Sequence, residues 1–248
     1  MDNGCHFHAG NNKKLEITMI KRCIICCLMM FAMLSIMAKT DELVWYDGEN
    51  GVAYNVLTDV EPVVKVALSM FSDDMSAVTG RKAVHTNNAV LMIVELDKAS
   101  EKLRKKLARK NVPVDEVMSS YDGFNISVYD GNVFIVGKNG RGTAYGILEM
   151  SRMAGVSPWI WWGDVVPEKK SCLTINRNTS VTQGASVEYR GIFINDEDWS
   201  IRPWSEKGEK GLIGRDTYKK EFQLLMRLRA NAVWPAMHEG TVSFFKTP

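Results

Sequence analysis

Hydrophobic and polar positions follow two different periods through the middle of the chain, and the two periods predict alternating strands and helices. Residues 51–58 are predicted as a strand, and apolar residues then recur at helical spacing over 63–71 until Gly80 ends the helix. The run AVLMIVEL at 89–96 is continuously apolar, which is typical of a buried strand. The charged segment 97–110 has two leucines four residues apart and is predicted as a helix.

A predicted hairpin and one more helix complete this region. Two alternating runs within 124–137 flank Asp130 and Gly131, a pair that strongly favours a tight hairpin turn. A helix is predicted at 142–153. The order strand, helix, strand, helix, hairpin, helix predicts a sandwich-like α/β domain over 40–166.

The pattern changes after this domain. Residues 167–187 are polar and are predicted as a linker with at most one edge strand. A strand is then predicted at 189–194, followed by a helix with Asp216 as its N-cap and Asn231 in the left-handed conformation after its end. A second strand is predicted at 232–238. Strand, helix and strand in this order form the repeating unit of a parallel sheet or barrel.

The N-terminus has the layout of a secretory signal peptide. Basic residues at 21–22 precede a mostly apolar run at 23–37, and the small Ala38 follows at the position of a cleavage site. We therefore expect 1–38 to comprise an upstream segment and a signal peptide at about 19–38, which predicts a secreted or periplasmic protein without membrane contact after cleavage. A membrane anchor is the alternative, although the apolar run is shorter than the ~20 residues of a comfortable span.

Composition excludes several functions. The 31 basic and 29 acidic residues give a net charge of +2, which argues against a nucleic-acid binder with a basic stripe. Cys172 is the only cysteine after the predicted signal, so no disulfide framework is expected. The motif CHFH at 5–8 lies upstream of the signal and is not predicted to bind zinc. The glycine-rich run at 137–146 has the wrong spacing for a nucleotide-binding loop and is predicted as a structural turn. No cofactor or metal is predicted.

Polar side chains crowd the ends of the two strands that follow the linker. The strand at 189–194 is followed directly by Asn195, Asp196, Glu197 and Asp198. His238 and Glu239 come at the end of the next strand. Because neighbouring parallel strands end at one edge, these groups are predicted to face one rim and to bind sugar hydroxyls or supply an acid. A solvated acidic turn is the alternative, and the spacing lacks the pattern of an EF-hand calcium loop.

Aromatic residues accompany these polar groups. Trp199 and Trp204 follow the acidic stretch, and SPWIWWGDV at 157–165 contains three more tryptophans. A strand there would place Trp159 and Trp161 on one face. Two interpretations stay open for this segment: a wall of a carbohydrate pocket, because sugar faces pack on indole rings, and an aromatic plug between two domains.

Three motifs together resemble one known family. VEYRGIFINDEDW, LMRLRANAVWPAMHE and GRGTAYGILEMSRMAGVSPWIWWGDV are similar to segments of glycoside hydrolase family 115, the xylan α-1,2-glucuronidases. The resemblance covers about 40–248. It implies an N-terminal α/β domain followed by a (β/α)₈ barrel. The implied activity is removal of glucuronic acid or its 4-O-methyl ether from glucuronoxylan or its oligosaccharides, by an inverting, metal-independent mechanism.

The resemblance also suggests roles for the residues at the strand ends. Asn195, Asp196, Glu197 and Asp198 fall on the family's first-strand motif, and Trp234, His238 and Glu239 fall on its second. We expect these residues, with Trp199 and Trp161, to bind the glucuronosyl unit or orient water. The principal catalytic acid and base are expected on later strands, beyond Pro248.

The length of the last region limits what this chain is expected to do. A complete barrel takes about 250 residues, so 188–248 is predicted to hold only the first βαβ unit of a truncated barrel. The chain alone is therefore predicted to lack hydrolytic activity. The alternative function is a non-catalytic carbohydrate-binding α/β module.

Overall fold

The computed structural model describes residues 41–195, 201–203, 205 and 213–237. The predicted signal peptide lies outside the described residues. From Val44 onward the described residues belong to one compact unit. None of the helices within the described ranges is long and apolar enough to cross a membrane.

The described elements alternate along the chain, with the helices concentrated in its first two thirds. The strands are β1 (Glu42–Tyr46), β2 (Ala53–Val56), β3 (Val84–His85), β4 (Leu91–Glu95), β5 (Tyr121–Tyr129), β6 (Asn132–Gly137), β7 (Leu173–Asn176), β8 (Ser180–Ala185), β9 (Gly191–Phe193) and β10 (Ala232–Trp234). The α-helices are α1 (Pro62–Thr79), α2 (Glu101–Arg109), α3 (Val114–Ser119), α4 (Gly140–Met153) and α5 (Arg215–Arg227), and a 3₁₀ turn spans Leu96–Lys98.

The main sheet has six strands in the order β3-β2-β4-β6-β5-β8. The first four strands are parallel, and β5 is antiparallel to both of its neighbours. The apolar run predicted as a buried strand is β4, in which Leu91 and Ile93 are buried. Asp130 and Gly131 both have positive φ, 53° and 72°, as a two-residue type I′ hairpin turn requires. The hairpin prediction is therefore confirmed.

Helices α1 and α4 pack against each other beside the sheet, and glycines shape the start of α4. The side chain of Asn139 caps α4 by accepting a hydrogen bond from the Gly142 N–H at 2.9 Å. A Cβ at Gly142 would overlap the carbonyl oxygen of Gly123, so the close approach requires glycine. These contacts support the structural interpretation of the glycine-rich run at 137–146.

The segment predicted as a linker, 167–187, is more structured than its sequence suggests. Its two strands are β7, which pairs with β1 in a separate two-stranded sheet, and β8, which forms the sixth strand of the main sheet beside β5. The alternating pattern is weak because β8 lies at a sheet edge and none of its residues is fully buried. Composition alone could not distinguish such an edge strand from a polar linker.

The last described elements form a parallel βαβ unit, in which α5 connects β9 to β10. The helix boundaries differ from the prediction at both ends. Gly214 is the N-cap and Asp216 lies in the first turn. Arg229, with φ 62°, is the left-handed residue instead of Asn231. The amide of Asn231 donates to the carboxylate of Asp122 and to the carbonyl of Glu188, so this side chain fixes a loop and does not terminate a helix.

Candidate functional site

The two strands of the βαβ unit end together at one edge. Gly191, Ile192 and Phe193 pair in parallel register with Ala232, Val233 and Trp234. The Ile194 N–H then donates to the Trp234 carbonyl at 2.8 Å, which extends the pairing by one residue. The chain therefore leaves both strands at the same edge, with Asn195 as the first polar residue after β9.

Six of the predicted site residues lie outside the described residues: Asp196, Glu197, Asp198, Trp199, His238 and Glu239. Asp196 follows Asn195 directly, and His238 follows Met237 directly. The parallel register brings the last residues of both strands to one edge. That the side chains of the six residues lie close together there stays a prediction. Within the described ranges, no group of three or more His, Cys, Asp or Glu side chains is placed to hold a metal ion.

Trp234 lies on the sheet face that α5 does not cover. Its ring is 6.4 Å from that of Phe193, its partner in the register, and 64% of its surface is exposed. The preceding residue, Val233, packs on the opposite face with Ile194 and with Tyr218 of α5. The alternation of side chains thus separates Trp234 from the helix-covered face.

A cavity of about 360 Å³, here called the edge cavity, opens beside the end of β9. Its lining includes Trp159, Trp162, Ile192, Ile194, Asn195 and Glu221. Trp159 is 48% exposed and offers an accessible indole beside the polar Asn195. An indole combined with an amide can hold a sugar ring by packing and hydrogen bonding.

Glu221, which the sequence analysis missed, is an unusual member of this lining. The residue is only 1% exposed, and neither carboxylate oxygen has a hydrogen-bond partner among the described residues. Burial raises the pKa of this carboxyl to about 8, so the protonated form dominates at neutral pH. Glu221 lies on the buried stripe of α5, which also contains Thr217, Tyr218, Leu224 and Leu225. An acid on an otherwise inward-facing stripe was the signal in the sequence that could have identified it.

The tryptophan segment forms turns and not the strand that the alternation suggested. The rings of Trp161 and Trp162 meet edge to face with centroids 4.6 Å apart. The Trp162 indole N–H donates to the carbonyl of Lys220 in α5 at 3.4 Å. The segment thus contacts α5 through Trp162, and both interpretations of it, pocket wall and aromatic plug, stay predictions.

A second cavity of about 250 Å³, here called the helix cavity, lies between α1, this aromatic turn and α5. Its lining includes Asp73, Asp74, Trp161, Lys220, Gln223 and Arg227. Trp161 therefore faces the helix cavity, whereas Asn195 faces the edge cavity. The structure separates Trp161 from the other described site residues, although Trp162 borders both cavities.

Among the described residues, three arginine–carboxylate pairs join the βαβ unit to the α/β region. Arg190 contacts Asp122 at 2.7 Å, Arg229 contacts Glu149 at 2.8 Å, and Arg227 makes two contacts of 2.8 Å with Asp74. The Tyr145 hydroxyl adds a hydrogen bond to the Ala230 carbonyl at 3.0 Å. We call this set of contacts the arginine seam, and it fixes the orientation of β9 and α5.

Arginines keep two buried carboxylates of the seam, Asp122 and Glu149, ionised. Burial would raise the pKa of Asp122, but hydrogen bonds from Arg190 and Asn139 and the charge of Arg141 outweigh it, so the pKa is lowered. Burial likewise opposes ionisation of Glu149, and Arg152 and Arg229 overcome it, again lowering the pKa. The seam is therefore a structural ion-pair network.

Comparisons with known proteins place this arrangement among the glycoside hydrolases. A solved structure described as a novel family GH115 4-O-methyl-alpha-glucuronidase, with specificity for decorated arabinogalactans, is 39% identical with a TM-score of 0.71. The match covers 83% of this chain and 27% of that one. The model of glycosyl hydrolase family 115 matches residues 182–247, which contain the βαβ unit. The chain belongs to glycosyl hydrolase family 115.

Two further comparisons add nothing to this assignment. A structure described as that of CpGH84D is 16% identical, and the match covers 60% of this chain and 24% of that one. Its TM-score of 0.40 is too low to establish a shared fold. The comparison with curated proteins found no match. The family resemblance read from the three sequence motifs is confirmed, and the mixed α/β architecture agrees with it.

Proposed function

We propose that this chain belongs to an α-glucuronidase that removes glucuronic acid or its 4-O-methyl ether from glucuronoxylan or its oligosaccharides. Support comes from the matching structure, which is described as a 4-O-methyl-alpha-glucuronidase of the same family. The chain spans about a quarter of the length of that structure, 27%. The predicted signal peptide at 19–38 fits an enzyme that meets its glycan in the periplasm or outside the cell.

The observation that carries this proposal is the shared edge of β9 and β10. Parallel register brings Asn195 to the edge at which β10 also ends. In barrels built from βα units, this end of the strands carries the chemistry. We assign binding of the glucuronosyl unit or orientation of water to Asn195, Asp196, Glu197, Asp198, Trp199, Trp234, His238 and Glu239.

The proposed mechanism is inverting hydrolysis. It needs one carboxylic acid to protonate the leaving oxygen and one carboxylate to activate water, with about 6.5–9.5 Å between them. Both roles are assigned to residues on barrel strands that follow β10. The edge of β9 and β10 would then hold the substrate, and this chain alone would bind glycan without cleaving it.

A binding and release assay tests the proposal. The purified chain is expected to bind glucuronoxylan in affinity electrophoresis without releasing glucuronic acid. Glu197→Ala and His238→Ala should weaken this binding. Asp115→Ala, which removes an exposed carboxylate from α3, is the matched control and should not.

Two outcomes would contradict the proposal. Release of glucuronic acid by this chain would refute the placement of the acid and base on later strands. Binding that survives both edge variants but disappears in Trp159→Ala would favour the second candidate, a non-catalytic carbohydrate-binding module. The exposed indole of Trp159 in the edge cavity is the observation that favours that module.

A further inference from the structure

The helix cavity contains charged groups whose pairing can be followed one by one. Asp74 is matched by the two 2.8 Å contacts from Arg227. Asp73 faces Lys82 at 3.9 Å. Among the charged groups that line the cavity, these pairs leave Lys220 as the cation without a carboxylate in the described part of the chain.

The position of Lys220 suits an anionic ligand that also has an apolar face. Its ammonium nitrogen lies 6.0 Å from the ring centroid of Trp161, so charge and aromatic surface stand side by side. Gln223 lies one position beyond Phe222 on the same helix and lines the same cavity. Its amide can both donate and accept hydrogen bonds.

We infer that the helix cavity binds a uronic acid unit of a glycan, as a second site away from the strand edge. The sugar carboxylate pairs with Lys220, the apolar face of the ring packs on Trp161, and the hydroxyls bond to Gln223 and Asp73. The volume of about 250 Å³ accommodates one sugar ring.

The surroundings of the cavity favour a sugar acid over a neutral sugar or a simple anion. A neutral sugar would leave the Lys220 charge unused. A simple anion has no apolar face that could pack on the Trp161 ring. The two aspartates do not repel the carboxylate strongly, because Arg227 neutralises Asp74 and Lys82 stands beside Asp73.

The ligand class rests on the proposed function, but binding at this cavity does not depend on hydrolysis. The full chain is titrated with methyl glucuronide, with methyl glucoside as the neutral match and acetate as the simple anion. Binding is followed by calorimetry and by indole fluorescence. We expect the glucuronide to bind about fivefold more tightly than the glucoside, as one partly exposed charge pair allows.

Variants of α5 locate the site. Lys220→Gln should remove most of the preference for the glucuronide, and Lys220→Arg, which keeps the charge, should retain it. Lys219→Gln is the matched control, because Lys219 is the neighbouring exposed lysine and does not line the cavity. Circular dichroism of each variant verifies that the fold is retained.

Several results would overturn the inference. These are equal affinity for glucuronide and glucoside, acetate binding as tightly as the glucuronide, or an unchanged preference in Lys220→Gln. Loss of the preference in Glu197→Ala would move the ligand to the strand edge and also contradict the helix cavity. Failure of the polysaccharide assay at the strand edge, with the Lys220 preference intact, would instead count against the proposed function alone.

Discussion

Buried acids on the two sides of α5 differ in whether an arginine contacts them. On the side of the arginine seam, both terminal nitrogens of Arg227 donate hydrogen bonds to the carboxylate of Asp74. On the side of the edge cavity, neither oxygen of Glu221 has a hydrogen-bond partner within the described ranges, and burial raises its pKa to about 8. Helix α5 thus carries a guanidinium that pairs with a buried acid, and also a buried acid that has no guanidinium partner among the described residues.

Other buried carboxyls fall between these extremes and show what decides the outcome. Glu95 accepts one hydrogen bond from the Glu61 N–H at 2.9 Å, while its other oxygen has none. Burial raises its pKa, and that one backbone hydrogen bond does not reverse the direction. Glu149, which two arginines contact, has a lowered pKa instead. Burial is common to Glu221, Glu95 and Glu149, and among these three the contact with a guanidinium decides whether the pKa rises or falls.

The largest effect is expected from removing a guanidinium from the seam. Arg227→Met leaves Asp74 buried without a counter-charge, which costs about 3–5 kcal/mol of the free energy of unfolding. Urea denaturation at pH 7 measures this loss. Arg141→Met is the matched control, because its partner Asp122 keeps Arg190, and we expect a loss below about 1 kcal/mol.

A double variant separates charge from packing in this test. Asp74→Asn combined with Arg227→Met removes both charges, so most of the lost stability should return. If the double variant is as unstable as Arg227→Met alone, the loss of packed methylene groups is the cause, and the contrast between the two sides of α5 fails.

The next effect concerns Glu221 and has a definite dependence on pH. The folded pKa of about 8 lies above the model value of 4.5, so folding favours the protonated acid. The stability from this group is full below pH 4.5 and falls as the pH rises toward 8, by up to about 1.4 kcal/mol per pH unit. Glu221→Gln, which stays neutral, should be more stable than the parent by about 4 kcal/mol at pH 8 and by less than about 1 kcal/mol at pH 5.

Urea denaturation at the two pH values measures this difference. Glu116→Gln is the control, because Glu116 is exposed on α3, and this variant should follow the parent at both pH values. A Glu221→Gln variant that gains nothing at pH 8 would show that Glu221 finds a partner or solvent in solution.

The sequence predicts the backbone of this chain better than its buried charges. The continuous apolar run of β4 and the Asp130–Gly131 pair determine their elements locally, so these predictions hold. An edge strand in the linker was anticipated, but the place of β8 in the main sheet was not, because its partner β5 lies some 50 residues earlier in the chain and its own pattern is weak. The prediction that Asn231 follows the helix end was wrong. The hydrogen bonds that fix Asn231, to Asp122 and Glu188, are set by tertiary structure and leave no local pattern in the sequence.

The candidate site, like the backbone, was only partly predictable from the sequence. Strand-end placement predicted Asn195, and the family resemblance predicted Trp234. Their strands end at one edge, and their role in binding stays a prediction. It could not place Trp161, because the tryptophan segment forms turns and the partners of Trp161 come from other elements. Pairing of Arg227 with Asp74 spans 153 positions, and no local pattern indicates it.

The smallest effect is expected at Glu149, where the dependence on pH should be opposite to that of Glu221. Its pKa is lowered because Arg152 and Arg229 outweigh the cost of burial, so its stabilisation is present above pH 4.5 and is lost as the pH falls through the lowered pKa. Glu149→Gln leaves both arginines able to reach solvent, and Arg152 is already 63% exposed. We expect a loss of about 1–2 kcal/mol at pH 7 that is smaller at pH 3. Urea denaturation at both pH values measures it, and a loss that grows toward low pH would contradict the assignment of Glu149 as an ionised member of the seam.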